Sequence, residues 1–147
     1  MNKLLITLSV MLTIAIMAFT QDINQSQIPS VILNNFKQQF PKVYDVEWEK
    51  KGDVYDVEFE NEKAKEYEVT FDSTGKVLKL KAKISAKELN GAIKSTLRKE
   101  FSDCIISEVE MVEENGVKIY EIELKSIFQE WDVVLNEEGQ ILKRKED

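Results

Sequence analysis

The sequence predicts an α+β fold made of two tandem copies of one unit, in which one helix covers a four-stranded antiparallel meander. Apolar residues first recur every three or four positions, which indicates a helix, and then every second position, which indicates strands. This change of spacing occurs twice along the chain. The two passes also align with each other at offsets of 61 to 65 residues. We therefore expect one unit over residues 21–84 and a second over residues 85–147.

The first twenty residues have the pattern of a secretory signal peptide. Lys3 precedes an apolar stretch from Leu4 to Phe19, and the small residues Ala18 and Thr20 stand just before Gln21. We predict a signal peptide over residues 1–20, cleavage before Gln21, and an exported protein that is periplasmic or secreted, with no stable membrane insertion after cleavage. The alternative is a retained transmembrane anchor, because the stretch is only slightly shorter than the roughly 20 residues that a span needs.

Each unit begins with an amphipathic helix. The apolar positions are Val31, Ile32, Phe36 and Phe40 in the first unit and Leu89, Ile93, Leu97 and Phe101 in the second. Pro29 suits a first helical turn and Pro41 stops the first helix, since proline lacks the backbone donor. Ser85 and Glu88 predict a capping box at the start of the second helix.

Four strands follow each helix, because apolar and polar residues then alternate. In the first unit the residues predicted to face the core are Tyr44, Val46, Trp48, Tyr55, Val57, Phe59, Tyr67, Val69, Phe71, Leu78 and Leu80. Gly52-Asp53 and Asn115-Gly116 predict tight hairpins. Asp72 to Gly75 and Asn136 to Gly139 predict turns that end in a left-handed glycine.

Composition argues against several functional classes. The chain has no histidine, so it lacks the usual general base and the commonest metal ligand, and we predict no enzyme, no catalytic residue, no cofactor and no metal site. Cys104 is the single cysteine, expected to be buried and inert, and it excludes an intramolecular disulfide. Without residues 1–20 the chain has 19 basic and 27 acidic residues, which disfavours nucleic acid as a partner. Carboxylates such as Asp56 and Glu58 are expected on the solvated strand face.

The outward strand positions differ between the units. In the first unit they are almost all charged, whereas the second unit places Val112, Ile119 and Val134 among acidic residues that include Glu121, Glu123 and Asp132. Apolar side chains within a polar rim are typical of protein interfaces, so these six residues are the predicted partner-binding surface. Scattered surface valines are also ordinary, which is the alternative interpretation.

Four motifs of the first unit resemble the PepSY-like proteins grouped with the β-lactamase-inhibitor (BLIP-like) fold. They are Phe36-x-x-x-Phe40-Pro41, Val46-x-Trp48, Tyr55-x-Val57-x-Phe59, and Val69-x-Phe71-Asp72-x-x-Gly75-x-x-Leu78. The resemblance extends from about Ile28 to Leu142, although Ser102 and Met111 replace the proline and the tryptophan in the second unit. It implies an exported bacterial protein and a fold rather than an activity.

These observations favour an exported, non-enzymatic binding module whose partner is another protein, with inhibition as one form that the binding could take. The contact surface would be the outward sheet face. The alternative is a cell-envelope sensor or scaffold that binds a cation or an envelope component through the acidic face of the first unit.

Overall fold

The chain forms one antiparallel sheet with two helices on one of its sides. The computed structural model describes residues 20–146, so the predicted signal peptide lies outside the described residues except for Thr20. The strands are β1 Thr20–Asp22, β2 Val43–Lys51, β3 Val54–Asn61, β4 Glu66–Phe71, β5 Val77–Lys83, β6 Ile105–Glu114, β7 Val117–Lys125, β8 Glu130–Asn136 and β9 Ile141–Glu146. The helices are α1 Ser30–Gln39 and α2 Gly91–Glu100. The predicted cleavage point between Thr20 and Gln21 falls within β1.

The strands pair in the order in which they occur along the chain. The α+β class is confirmed, but the two separate four-stranded sheets that we predicted are instead one nine-stranded sheet, because β5 pairs with both β4 and β6. The backbone N–H of Ile23 donates to the carbonyl of Trp48, and that of Ile84 donates to Val109, each at 3.0 Å. Both members of the second pair stand 61 positions after those of the first. β5 therefore ends the first unit and also begins the second, where it takes the place that β1 has in the first.

A short 3₁₀ turn precedes each helix. Ser85 and Glu88 do form the predicted capping box, but it closes the 3₁₀ turn Ala86–Glu88 and not α2. α2 begins later, with the side-chain oxygen of Asn90 accepting a hydrogen bond from the backbone N–H of Ile93 at 2.9 Å. Within residues 20–146, neither helix has the length and apolar content needed to cross a bilayer.

Each helix covers its own apolar cluster on the sheet. The first cluster contains Ile28, Ile32, Phe36, Trp48, Tyr55, Val57, Phe59, Val69 and Phe71. The second contains Leu89, Ile93, Leu97, Phe101, Val109, Ile122, Leu124, Val133 and Leu135. Trp48 is buried, as predicted, with its ring 5.2 Å from that of Phe36 in an edge-on arrangement. Removal of these side chains from water is the main force that holds the helices to the sheet.

β-bulges change the direction of several side chains that we predicted to face the core. The register of β2 against β3 shifts between Tyr44 and Glu47, where Asp45 has a positive φ of 49°. Tyr44 consequently points away from the helices and is exposed. Val46 stays on the side of Trp48 but is also exposed. A second register shift places Leu78 in a bulge of β5, outside the first apolar cluster. The equivalent Leu142 of β9 is also in a bulge and is exposed.

Candidate functional site

The side of the sheet away from the helices is called here the open face. Its members follow from the pairing register, because residues directly opposite each other point to the same side of a sheet. The open face includes the carboxylates of Asp22, Glu47, Glu49, Asp56, Glu58, Glu60, Glu66, Glu68, Glu108, Glu110, Glu114, Glu121, Glu123, Glu130 and Asp132, and the amines of Lys51, Lys79, Lys81, Lys83, Lys125, Lys143 and Lys145. Carboxylates outnumber lysines about two to one, so the face is strongly acidic.

The lysines of β5 lie between the acidic strands of the two units. The ammonium of Lys81 is 3.3 Å from a carboxylate oxygen of Glu110 and 4.0 Å from one of Glu121. Burial lowers the pKa of Lys81, but Glu110 and its acidic neighbours outweigh that effect and the pKa ends above its ordinary value. The ammonium of Lys83 contacts Glu66 at 2.7 Å and Glu108 at 3.8 Å. These pairs make the open face continuous across the joint between the units.

Asp56 differs from the solvated residue that we predicted, since only 6% of it is exposed. Its carboxylate accepts a hydrogen bond from the hydroxyl of Thr70 at 2.5 Å and lies 2.9 Å from the ammonium of Lys51. The hydrogen bond to Asp56 is the largest of the effects that raise the pKa of Lys51 above its usual range. Asp56 is thus a fixed, neutralised partner in an ion pair and not a free general base.

Like charges face each other elsewhere on the first unit. Glu58 stands directly opposite Glu47 on β2 and Glu68 on β4. Partial burial, followed by the charges of Glu68, Glu49 and Glu47, raises the pKa of Glu58. A shallow depression of about 400 Å³ lies over this part of the face, with Glu58, Glu68 and Lys81 among its lining residues.

The residues predicted to bind a partner lie on the open face, but they are not equivalent. Glu121, Glu123, Asp132 and Val134 together line a depression of about 300 Å³ over β6 to β9. Val112 and Ile119 are directly opposite each other on β6 and β7, outside that lining. Val112 is only 4% exposed, so it offers almost no surface to a partner. Ile119 and Val134 are partly exposed.

Several exposed apolar residues were not predicted, and four of them lie at one end of the sheet. Tyr44 is 58% exposed and Ile105 is 71% exposed, and both are on the open face at the beginning of a strand. Ile127 and Phe128, in the loop between β7 and β8, are 91% and 92% exposed. The only sequence signal for Ile127 and Phe128 was that two large apolar residues interrupt the alternation between two strands.

Cys104 is half-buried and not buried as predicted. Its sulfur is 3.8 Å from the Asp103 carboxylate. Burial raises the pKa of the Cys104 thiol and the neighbouring carboxylate raises it further, so the thiol stays protonated and weakly nucleophilic near neutral pH.

Comparison with known proteins identifies the family. A family model described as "Putative beta-lactamase-inhibitor-like, PepSY-like" matches residues 16–79 and again residues 53–143. The chain belongs to this PepSY-like family. The chain thus matches the family model twice, and the two matches overlap over residues 53–79, which include β3, β4 and the beginning of β5.

Solved structures that resemble this chain include three from Bacteroides. A BLIP-like protein from Bacteroides fragilis NCTC 9343 is 19% identical with a TM-score of 0.66, over 80% of this chain and 85% of that one. A DUF2874 family protein from Bacteroides ovatus ATCC 8483 is 19% identical with a TM-score of 0.67, over 80% and 86%. A "putative periplasmic" protein from Bacteroides eggerthii DSM 20697 is 16% identical with a TM-score of 0.70, over 80% and 88%. A search of the curated proteins gave no match. At these identities the likeness establishes the fold.

Proposed function

We propose that this PepSY-like protein is an exported, non-enzymatic module that binds another protein through the open face of its sheet. The observation that carries the proposal is the arrangement of that face. Both helices pack on the opposite side, so nine strands present one continuous surface, acidic overall and with Ile119 and Val134 near the centre of its second half. A partly apolar centre within a charged rim is typical of protein interfaces.

The acidic character of the open face indicates a partner with a basic surface. Complementary charge increases the rate of encounter and opposes association with acidic proteins. The association rate should therefore fall as salt is added, because exposed charges are screened within about 10 Å at 0.1 M salt. Export is supported by the sequence of residues 1–20 and by the structural likeness to a protein named as periplasmic.

The proposal is tested by capturing partners from the envelope fraction of the source cell, purifying the captured protein, and titrating it against matched variants. The double variant Ile119→Glu, Val134→Glu should remain folded by circular dichroism and should bind at least about 100-fold more weakly, since it buries unpaired charges in the complex. Val31→Glu is the control, because it makes the same chemical change on the outer side of α1. Equal affinity of the double variant and the wild type would contradict the proposal.

A cation-binding role is the second candidate, and the crowding of carboxylates around Glu58 favours it. Residues 20–146 contain no group of three such side chains arranged to hold a metal ion, so the binding would be diffuse. A divalent cation held in this way would relieve the repulsion among Glu47, Glu58 and Glu68 and would stabilise the fold by mass action. Calcium at millimolar concentration should then raise the melting temperature of the wild type but not that of Glu58→Gln. An equal response of the two proteins would exclude this role for Glu58.

A further inference from the structure

The loop between β7 and β8 holds two large apolar side chains in water. Ile127 and Phe128 are at least 91% exposed, more than any other large apolar residue of the described chain. Hydrogen bonds also close the loop. The backbone N–H of Ser126 donates to the carbonyl of Gln129 at 2.8 Å, and the Ser126 hydroxyl accepts from the backbone N–H groups of Phe128 and Gln129 at 3.3 and 3.0 Å. The side-chain amide of Gln129 donates to Glu146 on β9 at 2.7 Å.

The first unit provides an internal comparison for this loop. The equivalent connection, between β3 and β4, is closed in the same manner, with the backbone N–H of Asn61 donating to the carbonyl of Lys65 at 3.1 Å. Its outermost residues are Glu62, Lys63 and Ala64, which are polar or small. The fold thus forms this connection without large apolar residues. Folding therefore does not require Ile127 and Phe128. The surface that would bury these side chains must belong to another molecule.

Ile127 and Phe128 adjoin the open face. Ile105, the first residue of β6, is 71% exposed on that face, directly opposite Lys125 at the end of β7. Lys125 is in turn opposite Glu130 at the beginning of β8, and their charged groups are 3.8 Å apart. The loop therefore lies at one end of the sheet, next to the open face, with a third exposed apolar residue and an ion pair beside it.

We propose that Phe128, with Ile127, is the anchor of the partner interface and inserts into an apolar recess of a protein whose surrounding surface is basic. This inference rests on the proposed function of the open face. A rigid aromatic side chain loses little entropy on binding, and such residues dominate the energy of many interfaces. The bonds of Ser126 and Gln129 fix the loop before the partner arrives, which lowers the cost of association further.

The charge of the open face decides the class of partner. A membrane with anionic lipids would be repelled by a face on which carboxylates outnumber lysines about two to one. A second copy of the chain, docked face to face, would bring two acidic surfaces together. A basic protein meets neither obstacle.

The test places the photo-crosslinking residue p-benzoylphenylalanine at one position of the full-length protein in the source cell. Position 128 is the proposed anchor and position 134 reports on the open face. Position 63, at the tip of the equivalent loop, and position 31, on α1, are controls. We expect positions 128 and 134 to give one crosslinked protein of the same identity and positions 63 and 31 to give none. In the Ile119→Glu, Val134→Glu background the product at position 128 should be lost.

The crosslinked protein is then purified and titrated. Phe128→Ala should weaken binding about 30-fold, and the pair Ile127→Glu, Phe128→Lys, which copies the polar tip of the first unit, should weaken it more. Exchange of the charges at the other loop, Glu62→Lys with Lys63→Glu, should change the affinity by less than a factor of two. Melting temperatures should stay unchanged throughout, because these side chains are exposed.

Four results would contradict the assignment of Phe128 as the anchor. If position 134 crosslinks a protein and position 128 does not, or if Phe128→Ala binds as tightly as the wild type, the anchor is wrong while the open-face proposal stands. If position 128 crosslinks only lipid or a second copy of the chain, the class of partner is wrong. If neither position crosslinks a protein, the proposed function fails as well.

Discussion

The turn glycines give a sharp test of how the helices are held on the sheet. Gly139 has φ +76° and lies against α2, so that a Cβ atom added to it would be 2.7 Å from the carbonyl carbon and oxygen of Ala92. Its own carbonyl accepts a hydrogen bond from the hydroxyl of Thr96 at 2.7 Å. Gly116 also has φ +76°, but a Cβ atom there would meet nothing within 4 Å. The two glycines share their backbone conformation and differ in the contact with a helix.

The expected losses of stability follow from this difference. Gly116→Ala places a side chain in the left-handed region and should cost about 1 kcal/mol. Gly139→Ala carries the same cost and also forces the turn away from helix backbone, which adds about 1–3 kcal/mol for overpacking and about 1 kcal/mol for the strained hydrogen bond to Thr96. We therefore expect about 3–5 kcal/mol for Gly139→Ala.

Gly75, the equivalent residue of the first unit, should give an intermediate value. A Cβ atom there would be 2.8 Å from the side-chain nitrogen of Asn35, which can rotate away, although it would lose its 2.9 Å hydrogen bond to the carbonyl of Gly75. We expect about 2 kcal/mol for Gly75→Ala, from the left-handed φ and a weakened hydrogen bond.

The assay is equilibrium unfolding in urea, with the midpoint and the slope fitted for each variant. We expect the loss of stability to increase from Gly116→Ala through Gly75→Ala to Gly139→Ala, with the slope unchanged. Equal losses for Gly116→Ala and Gly139→Ala would refute the argument, because they would show that φ alone, and not the contact with α2, makes glycine necessary.

Two further predictions concern the first unit. Trp48→Ala should cost about 3–5 kcal/mol in urea unfolding because it leaves a cavity beneath α1. Trp48→Phe should cost much less, since the indole N–H of Trp48 is buried with no hydrogen-bond partner among the described residues and its removal offsets part of the lost packing. Equal losses of stability for Trp48→Ala and Trp48→Phe would contradict the argument that the unpaired N–H is costly. Glu58 has a raised pKa in the folded state, so its unfavourable charge is fully present above that pKa and disappears as the pH falls through it. Glu58→Gln should accordingly stabilise the protein at pH 7 by at most about 0.5 kcal/mol after allowance for solvent screening, and the gain should vanish near pH 4. The same gain in stability at both pH values would contradict the conclusion that the charge of Glu58 destabilises the fold.

The sequence predicts those parts of the fold that depend on residues close to each other along the chain. Asn115 and Gly116 have the positive φ values expected of a tight hairpin, and Trp48 lies in the core as the alternation indicates. The alternation fails at Tyr44 because an inserted residue at the bulge reverses the direction of the side chains before it, while the sequence still alternates. Asp45 accepts the left-handed conformation that the bulge requires, but aspartate is common enough in strand edges and turns that it gives no separate signal.

Long-range pairing also limits what the sequence can predict about the site. Alternation places Glu121, Glu123, Asp132 and Val134 on one face, and the structure brings these four together around one depression. Val112 is on the same face, yet its burial depends on the residues opposite it on two other strands, Lys81 and Ile119. No local pattern contains that information.

The pairing of β5 with β6 explains how two acidic units can share one sheet. α2 lies between these strands in the chain, so a pattern of short hairpins gives no reason to join them. Once they are joined, the open-face carboxylates of β4 and β6 would stand on both sides of a single strand. β5 places the positive charges of Lys79, Lys81 and Lys83 between them. Lys81 lies opposite Glu68 and Lys83 lies opposite Glu110. Opposite charges across neighbouring strands stabilise a sheet, whereas like charges destabilise it. A strand of lysines at the joint therefore lets the open face remain continuous while keeping its overall negative charge, which is the property on which recognition of a basic partner depends.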